Sequence, residues 1–294
     1  DIFARAEMIV KIKEPQPEEC KMLRRGQLLY TYLHLAPDLR QTEGLMESGA
    51  TCIAYETVTG RDGGLPLLAP MSEVAGRMST QVGTMCLQKD TGGKGILLGG
   101  VPGVKRAKVT VIGCGIAGTN AAKMAMGLGA DVTCIDLSTK RLAEIDDLFD
   151  NRITTIFSNG QNIEEAVLSS DLVIGAVLVA GAKAPKLVTR EMISKMSPGS
   201  VVVDIAVDQG GCIETCKPTT HQDPTFEIDG VVHYCVANMP GSVPLTSALA
   251  LNHSVLPYAL RLADQGWKNT LESDSNFLNG LNICQGNVTN EAVA

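Results

Sequence analysis

The chain has 294 residues, 45% of them hydrophobic, with a net charge of -7 and a pI near 5.2. That length and apolar content support two ordinary domains with sizeable cores. The acidic balance, without any basic run, excludes nucleic acid as the main partner, because phosphate binding needs a concentrated basic face. The longest wholly apolar or glycine stretch, Leu172 to Ala182, is too short to span a bilayer, and no secretion signal opens the chain. A cytoplasmic protein without a membrane partner is expected. Nine cysteines, an odd number scattered through predicted strands and helices, suit reduced thiols. Cys212 and Cys216, the closest pair, lack the second pair or the nearby histidines that zinc would need.

In chain order, Met8 to Ile12 reads as a short strand that Pro15 ends, leaving Lys13 at its C-terminal end. A helix around Pro17 to Arg25 follows, then a buried strand, Gln27 to Leu33, ending at His34. A helix from Asp38 to Glu47 and a strand from Thr51 to Tyr55 repeat the pattern. Ser72 to Leu87 reads as a long helix with Ser72 as its N-cap. The glycine-rich loop Gly92 to Gly103 lacks the ending of a Walker A motif. Six apolar segments then alternate with helices: Lys108 to Ile112, Asp131 to Ile135, Arg152 to Phe157, Asp171 to Leu178, Ser200 to Ile205 and Val231 to Val236. Leu245 to Ala263 reads as helix, and the polar tail from Ser273 carries no clear pattern.

Strands alternating with helices mean parallel sheets with crossover connections. The expected fold is α/β, a Rossmann doubly wound parallel sheet plus a discontinuous, incomplete flavodoxin-like α/β substrate domain. Residues 1–66 and 245–294 form the substrate domain in this division, and 67–244 form the Rossmann domain with its linker helix.

The chemical signal is VTVIGCGIAGTNAA, Val109 to Ala122. Gly113, Gly115 and Gly118 fit G-x-G-x-x-G, where the first glycine permits the turn, the second lets a pyrophosphate approach the backbone, and the third lets helix and strand pack closely. Ile116 and Ala117 open the helix whose free N–H groups would hold the phosphates. Asp136, ending the second strand, would hydrogen-bond ribose hydroxyls and repel a 2′-phosphate, favouring NAD over NADP. Ligands of such sheets bind at the carboxyl ends of the strands, where Lys13, His34 and Asp208 also fall. His34 is suited to general acid or base work, although a structural half-buried histidine fits the residues equally well. Lys13 can polarise a carbonyl or pair with a carboxylate, although a solvated lysine is the commoner outcome. Asp208 follows the fifth Rossmann strand, whereas Asp204 lies within the apolar run and needs hydrogen-bond partners if buried. His221, His233 and His253 lie in settings that do not suggest chemistry.

IVKIKEP (Ile9 to Pro15), TYLHLA (Thr31 to Ala36), IAYETV (Ile53 to Val58), LPLLAPMSEVAGR (Leu65 to Arg77), GGVPGV (Gly99 to Val104), GAKAPKLV (Gly181 to Val188), DIAVDQGG (Asp204 to Gly211) and VANMPGSVP (Val236 to Pro244) resemble the bacterial L-alanine dehydrogenase family. The resemblance covers essentially the whole chain, and DQGG separates it from the related NAD-binding subunit of transhydrogenase. It implies reversible oxidative deamination of L-alanine to pyruvate and ammonium with NAD, in a homohexamer serving L-alanine catabolism. By resemblance Lys13 binds substrate, Met71 lines the substrate pocket, and His34 and Asp208 form the acid/base pair for attack of water on the imine. Ser72, Asp136, Arg141, Ser158, Val177, Leu178, Ile205, Asp208, Val236, Asn238 and Met239 match cofactor-contacting positions. Family members carry two further βα units ahead of the segment that opens this chain, including a carboxylate-binding arginine, so the alanine site is expected to be weakened and the NAD site intact. The alternatives are a transhydrogenase-like NAD(H)-binding component and a catalytically incomplete NAD-binding remnant.

Overall fold

The computed structural model describes residues 1–36, 38–178, 184–207, 210–290 and 293. The chain divides into two compact units, one formed by Asp1–Met71 with Leu245–Ala294 and the other by Ser72–Pro244.

The N-terminal segment holds α1 (Ile2–Arg5), β1 (Met8–Val10), α2 (Pro17–Met22), β2 (Leu28–Thr31), α3 (Leu39–Ser48), β3 (Thr51–Ala54) and the start of α4 (Ala69–Cys86). Proline opens α2 at its first position, where a missing N–H costs nothing, and Glu19 reaches back to the N-cap backbone in a capping box. Asp38 caps α3 by accepting from Gln41 N, and Gly49 closes that helix in the left-handed conformation. The helix α4 begins at Ala69, with Pro70 in its first turn. Ser72 therefore sits inside the helix and not at the N-cap expected from sequence.

The middle segment continues with β4 (Lys108–Ile112), α5 (Ile116–Gly127), β5 (Asp131–Asp136), α6 (Thr139–Leu148), β6 (Thr154–Phe157), α7 (Gly160–Ser169), β7 (Leu172–Gly175), α8 (Arg190–Lys195), β8 (Val201–Asp204), β9 (Thr225–Ile228) and β10 (Val231–Tyr234). Among the described residues these strands form one sheet in the order β6-β5-β4-β7-β8-β10-β9, parallel except for β9. Its parallel part is the doubly wound order third-second-first-fourth-fifth-sixth. The central strands β7 and β8 are buried at every position, as a sheet covered on both faces requires. The antiparallel β9 was not anticipated. Asp229-Gly230, with φ of 52° and 79°, makes the tight turn joining it to β10, and this dipeptide is the sequence signal for such a hairpin.

The C-terminal segment adds α9 (Pro244–Gln265), α10 (Trp267–Glu272), α11 (Ser275–Leu278), β11 (Leu281–Cys284) and β12 (Asn287–Val288). The tail is thus ordered by long-range pairing: β11 runs antiparallel to β3, extending the sheet as β1-β2-β3-β11-β12. The helix α9 contributes Leu251, Val255, Ala259 and Leu262 to a core with Leu28, Tyr30, Tyr32, Ile53, Tyr55 and Phe277. Phe277 is fully buried, with its ring edge-on to Tyr258 at 4.9 Å and to Tyr30 at 6.2 Å. Truncation here leaves a cavity that the neighbouring rings cannot fill. Phe277→Ala is expected to cost about 3–5 kcal/mol, measured as a lowered urea midpoint.

Candidate active site

The glycine turn between β4 and α5 has the three properties that dinucleotide binding requires. Gly113 has φ of +93°, and a Cβ there would stand 2.9 Å from the Ala176 carbonyl oxygen. A Cβ on Gly118 would lie 1.8 Å from the Gly113 carbonyl oxygen, so the first turn of α5 packs against the strand end too tightly for any side chain. Gly115 is the opposite case, exposed and with nothing within 4 Å of its Cβ position. Open space in front of unpaired N–H groups at the N-terminus of a twelve-residue helix is where a pyrophosphate fits. The turn lies between the carboxyl ends of β4 and β7, the point where the strand order reverses.

Asp136, at the end of β5, accepts from Cys114 N at 2.7 Å and from Ser138 N at 2.9 Å, which ties it to the glycine turn. Arg141 donates from Nε to the Cys114 carbonyl, from one terminal nitrogen to Thr119 Oγ1 and from the other to Glu144. Its guanidinium braces the turn from the protein side. Ser158 follows β6 and is buried, and Val177 and Leu178 follow β7. Ile205 follows β8 and donates to the Gly175 carbonyl. Val236, Asn238 and Met239 follow β10, with Asn238 left-handed at φ of 55°. These residues share the carboxyl edge of one sheet, together with Ile116 and Ala117 at the helix start. Ser72 lies in α4 at the beginning of the same unit.

Asp208 lies outside the described residues. The loop flanking it is held by one buried acidic side chain, Asp204, and one exposed lysine, Lys186. The Asp204 carboxylate accepts from Ala206 N, Cys212 N and Ile213 N at 3.0–3.2 Å, the hydrogen bonding that its burial demands. Lys186 Nζ donates to the carbonyls of Gly210, Gly211 and Ile213. Burial pushes the Asp204 carboxyl up from 3.8 to about 6, against the opposing pull of those N–H groups and of Lys186. His233 is a core residue held by Thr215 and the Val231 carbonyl, and burial lowers its proton affinity.

In the other unit, Lys13 and His34 follow the carboxyl ends of β1 and β2. Thr31 Oγ1 donates to the Lys13 carbonyl, which fastens the chain beyond β1 onto β2. The structure brings the two side chains together through Glu14, which lies 3.1 Å from Lys13 Nζ and 3.7 Å from His34 Nε2. A second carboxylate, Glu56, stands 3.9 Å from His34 Nδ1. Met71 packs against the aromatic core of this unit. Neither Glu14 nor Glu56 was singled out from sequence, although each is an acidic residue just beyond an apolar strand, in IVKIKEP and IAYETV.

A glycine fingerprint at the switch point of a doubly wound sheet, with a carboxylate ending its second strand, defines a dinucleotide-binding α/β protein whose second unit offers lysine, histidine and carboxylate side chains. Residues 79–291 match the alanine dehydrogenase/PNT C-terminal domain and residues 1–75 the corresponding N-terminal domain. The chain belongs to the alanine dehydrogenase/PNT family. It is 60% identical to an alanine dehydrogenase of Halomonas elongata, over 98% of this chain and 78% of the relative, and 55% identical to one of Methanococcus maripaludis, over 100% and 79%. A solved L-alanine dehydrogenase superimposes with a TM-score of 0.93 at 52% identity, over 98% of this chain and 80% of that one. A transhydrogenase from Sinorhizobium meliloti shares the fold, with a TM-score of 0.78 at 24% identity over 98% and 80%.

Two substitutions separate the glycine roles. Gly118→Ala is expected to lower the melting temperature and abolish NADH binding. Gly115→Ala, at an ordinary φ of -65°, should leave melting unchanged while weakening NADH about tenfold or more, equivalent to about 1.4 kcal/mol, in a fluorescence titration. Asp204→Asn removes one acceptor and is expected to destabilise by about 1–3 kcal/mol. Because burial raises the folded carboxyl above its ordinary value, the stability Asp204 contributes is full below about pH 4 and is lost as pH rises through about 6. The advantage of the parent chain over Asp204→Asn in urea should therefore shrink across that window.

Proposed function

We propose that the chain catalyses the NAD-dependent, reversible oxidative deamination of L-alanine to pyruvate and ammonium. The observation that carries this reading is identity of 55–60%, over nearly the whole chain, to proteins named alanine dehydrogenase. The transhydrogenase-like alternative is not favoured, since the corresponding identity there falls to 24%. The residues suit NAD. The open space at Gly115 accepts the pyrophosphate, the fixed carboxylate of Asp136 offers acceptors to ribose hydroxyls and repels a 2′-phosphate, and Ser158, Val177, Leu178, Ile205, Val236, Asn238 and Met239 line the same sheet edge. Bound there, NAD supplies the acceptor for the electron pair of the alanine Cα–H bond.

The chain's own residues manage charge and protons. Lys13 holds the substrate through its ammonium and stabilises negative charge developing on oxygen, and Met71 lines the pocket. His34 and Asp208 act as the acid/base pair. One takes a proton from the water that adds to the oxidised carbon, and a proton is returned to the departing amine. Arg141 serves the cofactor as one of its contacts, from a guanidinium that also braces the glycine turn. Assembly as a homohexamer and a place in cytoplasmic L-alanine catabolism belong to the same reading. The exposed Leu245, Leu249, Leu256 and Leu260 form one stripe along α9, a face suited to self-association.

An absorbance assay of alanine-dependent NADH formation tests the assignment. His34→Ala and Asp208→Asn are each expected to lower turnover by about 100-fold or more while NADH still binds. Near-wild-type rates in both would overturn it.

A further inference from the structure

We propose that Glu56 is a positioning residue for His34, its carboxylate fixing the backbone from which the imidazole works; this rests on the reading of His34 as a proton-transfer group. His34 has φ of +48°, a left-handed conformation disfavoured for a residue with a Cβ. The strand β2 ends at Thr31, so the N–H groups of Leu33 and His34 lie beyond its last residue. Glu56, entering from the turn after β3, takes the place of the missing rung. Leu33 N donates to its two oxygens at 3.1 and 3.2 Å, and His34 N donates to Oε1 at 2.5 Å. The same Oε1 stands against His34 Nδ1. The Glu56 side chain is only 12% exposed, and among the described residues its ion-pair-range neighbour is His34. A second restraint acts on the ring, which lies flat on Tyr32 at 5.6 Å and 5°, and the Tyr32 hydroxyl is anchored on the Leu67 carbonyl at 2.6 Å. Glu56 thus holds the backbone of His34, and Tyr32 flanks its ring.

Oε1 alone receives both N–H groups, so glutamine can keep the hold and alanine cannot. Glu56→Ala is expected to lower kcat about 100-fold with Michaelis constants for alanine and NAD within about twofold. Amide hydrogen exchange of the peptide containing Leu33 and His34 should quicken about tenfold or more. Glu56→Gln should restore most of the rate and the protection. Wild-type kcat and unchanged exchange in Glu56→Ala would overturn the proposal. So would a loss shared alike by kcat, Michaelis constants, melting temperature and exchange throughout the unit, which marks a general structural role. If the parent chain does not oxidise alanine, the proposed function fails, and exchange confined to Leu33 and His34 still decides whether Glu56 holds that backbone.

Discussion

Helix α5 leaves strand β4 so closely that a methyl group at Gly118 would meet the Gly113 carbonyl at 1.8 Å, and much of the larger unit follows from that approach. It aims the N-terminus of α5 at the point where the sheet order reverses, and it leaves no room for side chains between helix and strand. The helix α4 meets the same place equally closely. A Cβ on Gly76 would fall 2.1 Å from the Ala117 carbonyl, while Thr80 and Arg77 hydrogen-bond to Ala121 and Asn120. Small residues on three elements thus concentrate free N–H groups at one spot, which is how a chain of net negative charge presents an anion site without a basic side chain.

Carboxylates shape the loops around the candidate site. Parallel strands end abruptly, and the peptide groups just past each end lose their ladder partners. Asp136 captures the N–H groups of Cys114 and Ser138, Asp204 those of Ala206, Cys212 and Ile213, and Glu56 those of Leu33 and His34. In each case a side chain on or just past one strand organises loop backbone near the edge where chemistry is expected. Burying such a group is costly unless several donors meet it. Asp204 shows the balance: desolvation raises its proton affinity even with three peptide donors in place.

The elements were legible wherever local pattern and tertiary context agree. The apolar strands of the Rossmann sheet are continuous β-branched runs, and their order follows from crossover connections that have one stable hand. Legibility failed where a remote partner decides. The tail after Ser273 has little pattern of its own, and Leu281–Cys284 becomes a strand because β3 offers an unpaired edge. Ser72 suits an N-cap, yet α4 starts three residues earlier, at Ala69-Pro70, where proline favours a first turn. The Asp229-Gly230 turn has a local signature, but Thr225–Ile228 before it is too short a run to read as a strand until β10 pairs with it.

By itself the sequence determined the glycine fingerprint, the acidic end of its second strand and the alternation that sets a parallel sheet, because these rest on spacing and on the conformations that single residue types allow. It also singled out Lys13 and His34 as strand-end candidates. Only the tertiary structure decided how those candidates are held. Glu14 joins Lys13 to His34, and Glu56 keeps His34 left-handed from just past the neighbouring strand. Hydrogen bonds between residues twenty or more positions apart have no signature in local periodicity; they exist because the sheet sets three strand ends side by side.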